Sequence, residues 1–377
     1  MKDVFGARFV LQRNRFAWID YARGICIILV CYRHCFEGLS HANFPTADYT
    51  FFKLMNVSLF SFRMPLFFLL SGVFISSTLL KKDFLTYVND RFKIILYPML
   101  VWGFIQVTLQ LLFSDFVNVD RKIIDYVNLI VMPRKIEQFW YLNALFVVGV
   151  VYAFFKGVLK FTVWQLMITA VIFYATGAIF YKINSAAPVD YIAYSFLPDF
   201  LHFYIFFFIG DIASSYIMNK NNQKYYSSFK VMIPVFLLFV LAHYFFTIIN
   251  LRYNIDYYVE HYMPVLFLFV ALTGCAFIIQ TCFILQRLNL LKFLRVVGYH
   301  SLYIYVMHLI VLSAVRNLLT HVFQIKYVPL LLGLGVLAGI IIPILMYNIF
   351  VRMGAWWLYS LKKPTDEINY YRNLAIY

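Results

Sequence analysis

The chain has 377 residues, of which 63% are hydrophobic, 21% aromatic and 13% charged, and its mean hydropathy is +0.77. Such proportions exclude an ordinary soluble protein. The net charge of +15 does not indicate nucleic acid either, because the Lys and Arg residues alternate with long apolar runs and form no basic face.

In chain order, residues 1–16 form a short polar arm with Lys2, Arg8, Arg13 and Arg15. The first apolar run, Ile19 to Glu37, has no small-residue cleavage site after it, so a removed signal peptide is not expected. Ten spanning helices are predicted, at 17–37, 52–80, 92–113, 138–156, 161–181, 197–218, 230–250, 262–285, 298–320 and 327–351. A transmembrane bundle over 17–351 would thus be followed by a polar tail over 352–377, and the whole of 1–377 is read as one membrane domain. With both termini placed in the cytoplasm, twenty Lys and Arg fall on that side and seven on the other, which is the positive-inside pattern. The fold class predicted is an all-α polytopic membrane protein.

Charges inside spans are costly and mark functional paths. The first span holds Asp20, Arg23, Arg33, His34 and Glu37. Arg23 and His34 are eleven positions apart, which puts them within about 20° of one helix face and about 16 Å apart in depth. Asp20 and Glu37 join that stripe at i−3 and i+3. The imidazole of His34 suits proton withdrawal near neutral pH. Glu37 either fixes the His34 tautomer or pairs with Arg33. Arg63, in the second span, either stabilises a developing oxyanion, binds an acceptor carboxylate or neutralises an acidic neighbour. His308 shares a face with Ser301 and Tyr305, and it either orients an acceptor or is a buried, hydrogen-bonded histidine. His202, Asp211 and His243 are expected to bond between helices. Ser71-Gly72 is expected to let two helices approach closely. Cys26, Cys31, Cys35, Cys275 and Cys282 read as reduced packing thiols, and no metal-ligand spacing occurs.

Four motifs follow one another: Asp20 with Arg23-Gly24 and His34; Pro65-Leu66-Phe67-Phe68 into Ser71-Gly72; Trp140-Tyr141-Leu142; and Tyr305-Val306-Met307-His308. On these the chain resembles the acyltransferase family 3 membrane proteins, which O-acylate cell-surface polysaccharides. It departs from the pattern at Val73-Phe74 after Ser-Gly. It also departs before Pro98, where Arg91 is followed by Lys93 instead of a complete Arg-x-x-Arg. The resemblance implies an acetyl-CoA-dependent O-acetyltransferase of the bacterial cytoplasmic (inner) membrane. Such an enzyme moves an acetyl or other short acyl group to a hydroxyl of an extracytoplasmic glycan or lipid-linked saccharide. It implies catalytic roles for His34, either as general base or as the group that is itself acylated, and for Glu37 and Arg63, and contacts of Arg23, Arg91 and Lys93 with the acyl-CoA phosphates. Acceptor contacts are implied for Trp140, Tyr305 and His308. Acyl-CoA, acceptor saccharide and membrane lipid are the partners expected, with neither a metal nor nucleic acid. An exporter of saccharide without transfer chemistry is the alternative.

Overall fold

The computed structural model describes residues 3–12, 16–186, 189 and 194–375, so Lys2, Arg13 and Arg15 of the predicted arm lie outside the described residues. Among those described, the regular structure is helical. In lipid every backbone polar group needs a partner inside its own segment, and long apolar helices meet that need. Among the described residues, nine stretches are long and apolar enough to cross a membrane: Thr50–Leu79, Phe84–Leu112, Pro133–Val158, Val163–Asn184, Phe196–Ile217, Phe229–Arg252, Pro264–Leu288, Ser301–Val322 and Val328–Arg352. They match the second to tenth predicted spans. The predicted first span is the 25-residue helix Ala17–His41, long enough to cross but carrying the embedded charges that keep it out of that apolar set. The protein is an all-α, multi-pass membrane protein.

Packing divides the chain into two units, one of residues 1–56, 97–126 and 289–377, the other of residues 57–96 and 127–288. In the first, Ala17–His41 runs antiparallel to the short helix Phe293–Tyr299. The two meet at glycines: a Cβ on Gly24 would lie 2.2 Å from the Leu294 carbonyl oxygen, and one on Gly298 only 1.7 Å from that of Asp20. Ser301–Asn317 and Val328–Arg352 complete the layer. Cys35, Phe36 and Leu39 pack there against Leu312, Val328, Leu331 and Leu332. The polar tail is ordered into the helix Thr365–Ala375, whose buried Glu367 accepts hydrogen bonds from the hydroxyls of Tyr299 and Tyr347. Asp3 accepts from the backbone N–H of Ala7 at 2.8 Å and from the Tyr370 hydroxyl at 3.1 Å, tying the arm to that tail.

His300, at the junction of Phe293–Tyr299 and Ser301–Asn317, is 1% exposed. Its Nδ1 donates to the Val296 carbonyl at 2.8 Å, and its Nε2 accepts from Asn348 Nδ2 at 3.4 Å. Burial pushes its pKa down to about 4, below the ordinary value of about 6.5. The folded state therefore prefers the neutral ring. That preference is harmless above about pH 6.5 and costs up to about 3 kcal/mol as the pH falls toward 4. Melting of the detergent-solubilised protein is expected to fall steeply over that window and less steeply in His300→Gln. Equal slopes in the two proteins would rule His300 out as the cause.

In the second unit Phe196–Ile217 is central. A Cβ on Gly72 would come 2.0 Å from the Phe207 carbonyl oxygen, and one on Gly210 2.0 Å from that of Leu69, so the Ser-Gly step serves close approach. Phe68 and Phe203 stack beside this crossing at 4.7 Å. Phe229–Arg252 packs on Pro264–Leu288, and His243 Nε2 lies 3.0 Å from Ser61 Oγ. Asp211 accepts from the Tyr152 hydroxyl at 2.6 Å and also from Lys156 and Ser76. Asp211 thus bonds between helices as expected from the sequence, whereas His243 bonds from its helix to the turn before Arg63–Gly72.

Candidate active site

The site is built outward from Ala17–His41. Arg33 Nη2 lies 2.7 Å from Glu37 Oε1, an i,i+4 ion pair with side chains 14% and 27% exposed. Of the two partners that the spacing allowed Glu37, the structure gives Arg33. Arg316 Nη1 donates to the Gly38 carbonyl at 3.0 Å. The half-buried His34 ring faces instead the ring of His308, at 5.2 Å between centroids and 47° between planes. Tyr305, one turn before His308, sets its ring 5.7 Å from the same imidazole. Arg23 is on the same helix as His34, at the level of the Gly24 crossing. The first unit thus brings together His34, His308 and Tyr305, with Arg23 further along the helix.

The remaining predicted residues belong to the second unit. Arg63 is 2% exposed, opens the helix Arg63–Gly72 and has its guanidinium carbon 5.6 Å from the Phe60 ring centroid. Arg91 donates through Nε to the Tyr87 hydroxyl at 3.1 Å and also covers the Tyr87 ring. Lys93 sits in the π-helical turn Phe92–Leu96. Trp140, expected to touch acceptor, carries the Arg134 guanidinium on its face at 4.5 Å.

Reasoning from sequence passed over the group around Arg134. Its Nε lies 2.8 and 3.0 Å from the two carboxylate oxygens of Asp199, to which the Tyr181 hydroxyl also donates at 3.0 Å. Asp199 is fully buried, and this forked pair anchors the start of Pro133–Val158 to Phe196–Ile217. His202, also fully buried, has Nε2 3.6 Å from Glu260 Oε1. Removing one partner of a buried pair strands the other charge. Arg134→Leu is therefore expected to cost about 3 kcal/mol, and Asp199→Leu in the same chain should restore part of it. A single variant that melts with the wild type would remove this pair from the stabilising contacts.

A second residue passed over is Arg295, which entered the sequence reading only as one cation among many. It sits on the helix that crosses Arg23-Gly24, and its Nε is buried without a hydrogen-bond partner among the described residues. Among those residues no group of three or more His, Cys, Asp or Glu is placed to hold a metal ion. Chemically, the first unit offers an imidazole pair with arginines on neighbouring helices, a set suited to moving a proton beside an anionic substrate.

Comparison with known proteins gives this set a context. Part of the chain is similar to the nodulation protein NolL of Sinorhizobium fredii, at 28% identity over 160 residues, 42% of this chain and 42% of that protein. The NolL of Mesorhizobium japonicum is 27% identical over 158 residues, 42% of this chain and 40% of that protein. The chain thus spans under half the length of the curated relatives it matches. No solved structure matches it. The family model described as an acyltransferase domain matches residues 16–348, from just before the charged first helix through nearly all of the last span, and the chain belongs to that acyltransferase 3 family.

Proposed function

We propose that the protein transfers an acetyl or similar short acyl group from cytoplasmic acyl-CoA to a hydroxyl of an extracytoplasmic glycan or lipid-linked saccharide. The observation that carries this reading is the pairing of His34 with a second imidazole on a charged helix of a membrane acyltransferase. The excess of Lys and Arg in alternate loops supports cytoplasmic termini. That orientation would put Arg23 toward the compartment that supplies acyl-CoA, where a guanidinium suits its phosphates. His34, about 16 Å deeper along the helix, withdraws the proton of the acceptor hydroxyl. The hydroxyl oxygen bonds to the thioester carbon, the carbon–sulfur bond breaks, and the proton passes from His34 to the departing sulfur. Tyr305 lies beside His308, and its contact with the acceptor is part of the same proposal. Roles for Arg63, Arg91, Lys93 and Trp140 rest on the family resemblance alone.

The test uses purified protein in proteoliposomes, with labelled acetyl-CoA on one side and a saccharide extract of the parent cells' membranes on the other. Label in the saccharide with one equivalent of CoA released is the expected result. Saccharide movement without CoA release would replace this reading with that of an exporter.

A further inference from the structure

Among the described residues, three buried histidines donate Nδ1–H to a carbonyl about one turn earlier. His243 does so to the Phe239 carbonyl at 2.9 Å and His300 to Val296 at 2.8 Å. His308 does so to the carbonyls of Tyr305 at 2.8 Å and Ile304 at 3.1 Å. A carbonyl only accepts, so the proton must sit on Nδ1 in each. In a neutral ring Nε2 then carries an in-plane lone pair. His243 Nε2 meets Ser61 and His300 Nε2 meets Asn348. The His308 ring is fully buried, and its Nε2 alone of the three has no hydrogen-bond partner among the described residues. A buried acceptor left without a donor is costly, and where one persists it calls for an explanation.

Here the explanation lies next to it. The His34 ring is 5.2 Å away between centroids, a separation that a modest side-chain rotation closes to an N–H···N hydrogen bond. Glu37, the usual kind of partner for such a base, is engaged by Arg33. Building on the acyl-transfer reading, we infer that His308 is the positioning residue of the His34 base, with its Nε2 accepting the ring N–H of His34. That bond fixes the His34 tautomer and leaves its other nitrogen, as a lone pair, for the acceptor hydroxyl. During transfer this second nitrogen takes the hydroxyl proton, and the bond to His308 steadies the cation formed. The proton then leaves with the CoA sulfur, and His308 begins and ends neutral. A neutral acceptor replaces the carboxylate that completes the usual hydrolase arrangement.

Two substitutions separate positioning from packing. His308→Gln keeps an acceptor oxygen near the place of Nε2, whereas His308→Leu keeps bulk and removes the acceptor. With labelled acetyl-CoA and the membrane saccharide extract, kcat is expected to fall about 100-fold in His308→Leu. The half-saturating extract concentration should stay within about threefold, and His308→Gln should keep at least about a tenth of wild-type kcat. Equal losses in both variants, or a weakened half-saturation with kcat intact, would overturn the inference and make His308 a packing or acceptor-contact residue. Nitrogen-15 NMR of histidine-labelled full-length protein in bilayers adds a readout that needs no turnover. His308 should show a protonated Nδ1 and a bare Nε2, whose signal moves in His34→Ala. A protonated Nε2, or a signal indifferent to His34→Ala, would also overturn it. The expected NMR signature in a protein that never transfers label would uphold the imidazole pairing and reject acyl transfer itself.

Discussion

Alanine in place of His34 is expected to lower acyl transfer about 10³-fold while the protein still folds and inserts. The magnitude is that of a positioned general base, and the site holds no obvious substitute: Glu37 is paired with Arg33, and the free nitrogen of His308 lies behind His34 in the proposed relay. The ring is only half-buried, so its loss leaves a small cavity and the melting temperature should shift by a few degrees at most. CoA release in proteoliposomes is the measurement. Transfer within about tenfold of wild type in His34→Ala would end the general-base assignment. His34→Gln should be as inactive as alanine, because an amide keeps the hydrogen bonding and cannot take up the proton.

The other large effect is structural. Gly298→Ala should destabilise the first unit by about 3 kcal/mol or more, at the upper end for an overpacked contact. The added carbon would sit 1.7 Å from the Asp20 carbonyl oxygen and 2.6 Å from its carbon. Both atoms are main chain, so no side chain can swing away and the two helices must part. Parting them shifts Arg23 along with Gly24, and activity should fall with stability. Gly333→Ala is the control, because a Cβ there meets nothing within 4 Å and alanine is the better helix former by about 1 kcal/mol. Melting of the two variants side by side decides the matter. If Gly298→Ala melts with Gly333→Ala, the crossing is looser than its geometry states.

The spans were legible because hydropathy is a local property, and the nine apolar stretches fall where the runs of Leu, Ile, Val and Phe predict them. Which partner a polar group takes was legible only when both lay on one helix, and even then ambiguously; for Asp211 the sequence pointed to a bond between helices without naming Tyr152 or Lys156. Glu37 is three residues from His34 and four from Arg33; both spacings bring side chains together, and only the structure picks Arg33. The pairing of His34 with His308 joins helices far apart in sequence, so no periodicity announces it. Arg134 was counted as a loop cation because its partner Asp199 lies across another connection, on Phe196–Ile217. In Arg23-Gly24 the arginine drew notice as a charge, whereas the glycine is explained only by Phe293–Tyr299 lying on it.

The composition of the first unit, from residues 1–56, 97–126 and 289–377, bears on how the protein is made. Residues 57–96 and 127–288 have all been synthesised before Phe293–Tyr299 exists, so their unit can settle first. His34, by contrast, waits for His308 through about 15 to 50 s of synthesis. On the proposed mechanism, a nascent chain therefore carries its base without the ring that would set it until His308 has been made.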